Sequence, residues 1–99
     1  MINFSNIEIN ETKYYYIYCK YDDAVVHLPF KRSFEKQTYM LCPINKEYLD
    51  ASSYWIEDVA YKLMCRLIRD NGLSFDDFEV REYVDGEVNE WLNIYYMVL

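Results

Sequence analysis

Residues 12–21 read TKYYYIYCKY, and five of the ten are tyrosines: Tyr14, Tyr15, Tyr16, Tyr18 and Tyr21. A tyrosine carries an apolar ring and a polar tip, so it serves a core or a surface that grips something else. The aromatic and β-branched content predicts a strand, whose side chains alternate between two faces. Asp22 and Asp23 follow, and aspartate tolerates positive φ better than most residues, which suits a two-residue hairpin turn. Such a turn sets Tyr21 opposite Ala24, Cys19 opposite Val26, Ile17 opposite Leu28 and Tyr15 opposite Phe30. Every member of that set is apolar or aromatic. The other face holds Tyr14, Tyr16, Tyr18 and Lys20 opposite Val25, His27 and Pro29. A slip of one residue would exchange the faces. Tyr15 and Tyr21 are therefore expected in the core. Tyr14, Tyr16 and Tyr18 are expected to form a second, amphipathic face.

Outward from this hairpin, residues 2–9 alternate locally at Ile7 and Ile9 and predict a first strand. Residues 31–36 are a charged loop, and residues 37–44 predict a further strand with Pro43 at its end or on an edge. Residues 52–71 predict the main helix. Ile56, Val59, Ala60, Leu63, Met64 and Leu67 fall on one stripe at helical spacing. Ser52 or Ser53 is the expected N-cap. Gly72 is the expected left-handed stop, with Leu73 as its apolar contact. The chain ends in DDFEVREYVDGEVNEWLNIYYMVL, residues 76–99, which predicts a hairpin. A three-residue loop of Val84, Asp85 and Gly86 keeps Phe78 opposite Leu92 and the apolar residues on one side. Its outer face then shows Asp77, Glu79, Arg81, Tyr83, Glu87, Asn89, Trp91, Asn93 and Tyr95.

The fold class that follows is α+β, a mostly antiparallel sheet of about ββββαββ, with one amphipathic helix packed on one face. Its 99 residues fit a single compact domain spanning 1–99. One helix covers one face, so the opposite face is expected to stay open or to meet a partner.

Composition narrows the function classes. No apolar stretch is long enough to span a membrane. The start, MINFSNIEIN, has neither a basic nor an apolar signal region, which predicts a cytoplasmic setting, of a cell or of an infected host. Three widely spaced cysteines, Cys19, Cys42 and Cys65, predict free thiols rather than a disulfide framework. One histidine, His27, and two glycines leave no material for a zinc site or a phosphate-cradling loop. No nucleophile motif occurs. The chain reads as a non-enzyme without catalytic, cofactor-binding or metal residues, and no family is recognised in it.

Charge carries more. The net charge is −7, and residues 1–69 hold nine acids and nine bases. Residues 70–99 hold eight acids (Asp70, Asp76, Asp77, Glu79, Glu82, Asp85, Glu87, Glu90) against Arg81 alone. An acidic surface repels nucleic acid and anionic membranes and attracts basic proteins. Carboxylates at alternate strand positions, about 6.6 Å apart, imitate the spacing of phosphates. The expected contact residues are Asp76, Asp77, Glu79, Glu82, Asp85, Glu87 and Glu90, with Tyr83, Trp91, Tyr95, Tyr14, Tyr16 and Tyr18 as aromatic anchors. The function expected is inhibition of a basic nucleic-acid-handling protein, such as a nuclease or CRISPR effector, by nucleic-acid mimicry. In composition alone the chain is similar to phage anti-CRISPR and anti-restriction proteins. The alternatives are an immunity protein or antitoxin against a nuclease toxin, and a homodimer or larger structural assembly that buries the tyrosine face.

Overall fold

The computed structural model describes residues 13–84. The sheet is built on the tyrosine strand. β1 (Lys13–Cys19) lies between β2 (Ala24–His27) and β4 (Phe78–Val84), with β3 (Met40–Cys42) outside β2, and every pairing is antiparallel. Two helices, α1 (Lys46–Ser52) and α2 (Glu57–Asn71), come between β3 and β4. The fold is α+β. The expected first strand at residues 2–9 and the returning arm of the last hairpin lie outside the described residues. So do the proposed Asp85 and Gly86 turn and the anchors Trp91 and Tyr95.

The β1–β2 register differs from expectation by two residues. Cys19 pairs with Ala24, Tyr18 with Val25 and Ile17 with Val26. Residues 20–23 therefore form the connection, and Tyr21 projects from it at 86% exposure instead of entering the core. The loop is held by its own acids. Asp23 takes the positive φ, at 50°, and accepts a hydrogen bond from the Tyr18 hydroxyl. Asp22 accepts from the Cys19 thiol at 3.6 Å. A two-residue shift preserves strand parity, so the faces stay as the sequence assigns them. Phe30, expected opposite Tyr15, lies beyond the end of β2 and is exposed. The backbone of Tyr15 bonds instead to Tyr54, at 2.8 and 2.7 Å.

That bridge explains why the predicted helix is two helices. Ser53 ends α1, Tyr54 bonds to β1, and Ile56 caps α2 in an extended conformation. Tyr54, Trp55 and Ile56 are aromatic or β-branched, so little helical propensity is lost by the break. Neither Ser52 nor Ser53 caps α2, whose N-cap makes no side-chain bond. α2 turns Ala60, Met64, Leu67 and Ile68 inward, while Ile56 and Val59 are exposed. Met64, Leu67 and Ile68 form the main core with Ile17, Cys19, Val26 and Phe78 of the sheet.

The helix stop is as expected. Gly72 adopts φ 63°, ψ 37°, and its amide and that of Leu73 both bond to the Ile68 carbonyl. A Cβ added at Gly72 meets nothing within 4 Å, so the cost of Gly72→Ala is conformational only. The variant is expected to lose about 1 kcal/mol in a urea titration, and Gly72→Asn less, because asparagine tolerates this region. Equal loss in both would point to a different cause.

The opposite sheet face is covered, contrary to expectation. Asn45 caps α1 by accepting from the Tyr48 amide at 3.1 Å. Tyr48 and Leu49 of this short helix then pack on Tyr16, Tyr18, Val25 and Cys42. Tyr16 and Tyr18 are each 7% exposed, so they belong to a second core rather than to an open contact surface. The cysteines are free, with Cys19 and Cys42 buried. No helix among the described residues is long and apolar enough to cross a membrane.

Candidate functional site

Of the tyrosine ladder, Tyr14 retains a role at the surface. It lies near the start of β1, directly paired with Tyr83 of β4. The two rings stand 6.2 Å apart, tilted by 32°. Trp55, from the break between α1 and α2, meets Tyr14 edge to face at 5.8 Å and 89°. Trp55 is 77% exposed, so its ring forms a wall rather than a core plug. Asp50 reaches the same place from the outer side of α1. Its Oδ1 accepts from the Tyr83 hydroxyl and its Oδ2 from the Lys46 ammonium, both at 2.9 Å. The Lys46 hydrogen bond, supported by that from Tyr83, holds the Asp50 carboxyl below its ordinary value of 3.8. Tyr14, Asp50, Ser53, Trp55 and Tyr83 together line a cleft of about 260 Å³. Small-molecule sites commonly run from about 300 to 1,000 Å³, so this cleft suits a single side chain better than a metabolite.

The carboxylates expected to form a row are divided. Asp76 and Asp77 are exposed in a 3-10 turn, residues 75–77, and not on the strand. Ser74 caps that turn by accepting from the Asp76 amide. Glu79 is on β4 but is engaged by its own chain, with Arg81 Nε at 2.6 Å and Lys20 Nζ at 4.0 Å. Glu82 pairs in register with Tyr15 and so faces away from Glu79. Of the expected row of Asp77, Glu79, Asp85 and Glu87, the described residues show only the first two: Asp77 precedes the strand and Glu79 is held by Arg81, while Glu82 faces the inner side as the sequence places it. Asp76, Asp77 and Glu82 remain without an ion pair among the described residues. Asp85, Glu87 and Glu90 lie outside them.

Arg81 shows how this sheet face treats a cation. Its guanidinium carbon sits 3.6 Å from the centroid of the Tyr18 ring while Glu79 takes the Nε–H. The Asp23 hydrogen bond raises the Tyr18 phenol above its ordinary 10.0, so the ring stays neutral and keeps its proton on that bond.

His27 has a partner that its sequence neighbourhood does not suggest. Its Nδ1 lies 3.0 Å from Ser52 Oγ at the end of α1. Ser52 is 3% exposed, so no substrate reaches its hydroxyl, and the pair ties β2 to α1. No group of three or more His, Cys, Asp or Glu among the described residues is placed to hold a metal ion. No family model, curated protein or solved structure matches this chain.

Sequence reasoning named Tyr14 and Tyr83 of the cleft and missed Trp55 and Asp50. The signal available was the run Tyr54, Trp55, Ile56, which leaves Trp55 off the predicted apolar stripe.

Proposed function

We propose that this chain is a small acidic binding protein that occupies the nucleic-acid surface of a basic, nucleic-acid-handling protein and inhibits it. A nuclease or CRISPR effector in the cytoplasm of the cell concerned is the fitting target. The single observation that supports this reading is a group of exposed carboxylates in the segment that carries the whole net charge, free of ion pairs among the described residues. Asp50, Asp58 and Asp70 are held in internal pairs, with Lys46, with Lys62, and with Arg66 and Arg69 respectively. Further along, Asp76, Asp77 and Glu82 are exposed and pair with nothing described, in the segment that carries the whole net charge. Exposed carboxylates without internal partners cost no stability to give to a partner's lysines and arginines, and they steer its approach.

The test is inhibition of DNA cleavage by restriction and RNA-guided nucleases, with association followed at several salt concentrations. Inhibition should be stoichiometric and relieved by added DNA. The triple variant Asp76→Asn, Asp77→Asn, Glu82→Gln should associate about tenfold more slowly at low salt, and the difference should vanish at high salt. Association indifferent to both salt and the three substitutions removes electrostatic mimicry. A dimer by light scattering, with no nuclease bound, favours self-assembly instead.

A further inference from the structure

We propose that the cleft between Tyr14, Trp55, Tyr83 and Asp50 is a socket for one arginine side chain of a protein partner. The proposal rests on the reading of this chain as a binder of basic proteins, and it adds where and how one basic side chain is held.

The cleft combines the two features a guanidinium seeks. Its walls are aromatic, and a cation over an aromatic face is attracted by the ring quadrupole. Its floor carries an ionised carboxylate, Asp50, kept ionised by its bond to Lys46. A carboxylate offers about four acceptor positions, and the bonds from Tyr83 and Lys46 fill one on each oxygen. Arginine exceeds lysine here because its planar fork can stack on a ring and donate to a carboxylate at once.

The chain already contains this interaction in miniature. Arg81 stacks on Tyr18 at 3.6 Å and donates to Glu79 at 2.6 Å. The cleft presents the same chemistry, tyrosine rings beside a carboxylate, with Trp55 added and with no guanidinium from the described residues inside it. At about 260 Å³ it has room for a side chain. Trp55 is exposed, so it can close on an incoming group without disturbing the fold.

The probe is a capped Gly-Arg-Gly peptide, with the matching lysine and citrulline peptides as controls. Citrulline keeps the shape of arginine and removes its charge. Two tryptophans are present, so the Trp55 indole N–H resonance is assigned with Trp55→Phe. The arginine peptide should shift that resonance saturably, with a dissociation constant on the order of millimolar for one side chain. Lysine should bind more weakly and citrulline not at all. Asp50→Asn should weaken binding about tenfold by the same resonance, and Trp55→Ala should weaken it about tenfold as followed by the backbone amide shifts of Tyr14 and Tyr83. Trp55→Ala guards against a folding artefact, since Trp55 makes little core contact. Equal shifts from arginine and citrulline, or no saturable shift up to about 50 mM, overturn the socket. Nuclease inhibition without peptide binding overturns the socket and leaves the broader reading standing. Peptide binding without inhibition of any basic protein does the reverse.

Discussion

Replacing Leu67 by alanine should lower the unfolding free energy by about 3–4 kcal/mol, while Val59→Ala in the same helix should cost under about 1 kcal/mol. Leu67 is fully buried, and α2 sets it among Ile17, Cys19, Val26, Met64, Ile68 and Phe78. Removing its isobutyl group loses the transfer energy and leaves a void that the sheet cannot fill by sliding, because β1 is paired on both sides. Total stabilities of such domains run to about 5–15 kcal/mol, so this one change is a large fraction. Val59 makes the comparison sharp. The sequence stripe puts both residues on the buried face, whereas the helix as oriented here leaves Val59 40% exposed. Urea titrations of the two variants separate the orientations: equal costs would mean that α2 is rolled toward the stripe read from the sequence.

Strand parity was legible because it is a local property. Ile17 and Cys19 alternate with Tyr16 and Tyr18, and no choice of turn length that preserves parity alters which pair meets α2. Turn length itself was not legible. It depends on Asp22 and Asp23 bonding back to Cys19 and Tyr18, and these side-chain bonds compete with a tight turn rather than forming one. The end of α2 was legible from Gly72, since φ 63° is a position glycine occupies without penalty. Its beginning was not, because the bridge from Tyr54 to Tyr15 is a tertiary bond across nearly forty residues that overrides a continuous helical pattern.

The covered tyrosine face has the same origin. A seven-residue helix is too short to declare itself by periodicity, and in isolation it would not form. It exists because Asn45 caps it and Tyr48 and Leu49 bury on Tyr16 and Tyr18. So the tyrosines that looked like a free surface are what α1 needs. Only Tyr14, beyond the reach of that packing, is left to join Trp55 and Tyr83. The candidate site thus mixes residues whose role the strand pattern suggested with two, Asp50 and Trp55, that only the fold brings close.

The loop of residues 28–39 packs on the main core through Leu28 and Tyr39 at its ends, while Phe30 and Phe34 between them turn to solvent and polar bonds from α2 hold that stretch in place. Arg66 donates from Nη2 to the carbonyls of Arg32 and Glu35, at 2.6 and 2.7 Å. Asn71 donates to the Gln37 carbonyl at 2.7 Å, and Asp70 accepts from the Gln37 amide at 2.9 Å. Gln37, itself 2% exposed, closes the loop on itself by donating to the carbonyls of Pro29 and Thr38. Arg66→Ala should therefore cost about 1–2 kcal/mol at neutral pH, since it strips a charge-assisted bond from the part-buried Glu35 carbonyl and a second, exposed one from that of Arg32. Asp70 adds a pH signature. The Gln37 amide bond, followed by Arg69 and Arg66, holds its carboxyl below the ordinary 3.8. A carboxyl depressed in the native state binds fewer protons there than in the unfolded chain, so between the two values stability rises with pH. Its contribution is complete above 3.8 and disappears as pH falls through the lower, native value. Asp70→Asn should thus be less stable than the parent at neutral pH, with the gap closing as pH falls below 3.8 through the lower native value and the parent carboxyl is protonated. Asp50→Asn serves as a comparison, because Asp50 is depressed in the same direction but holds no part of this loop. Backbone hydrogen exchange at Gln37 distinguishes the two: it should quicken in Asp70→Asn and stay unchanged in Asp50→Asn. A gap between Asp70→Asn and the parent that persists unchanged to pH 2 would mean that the carboxylate charge is not what fastens the loop to α2.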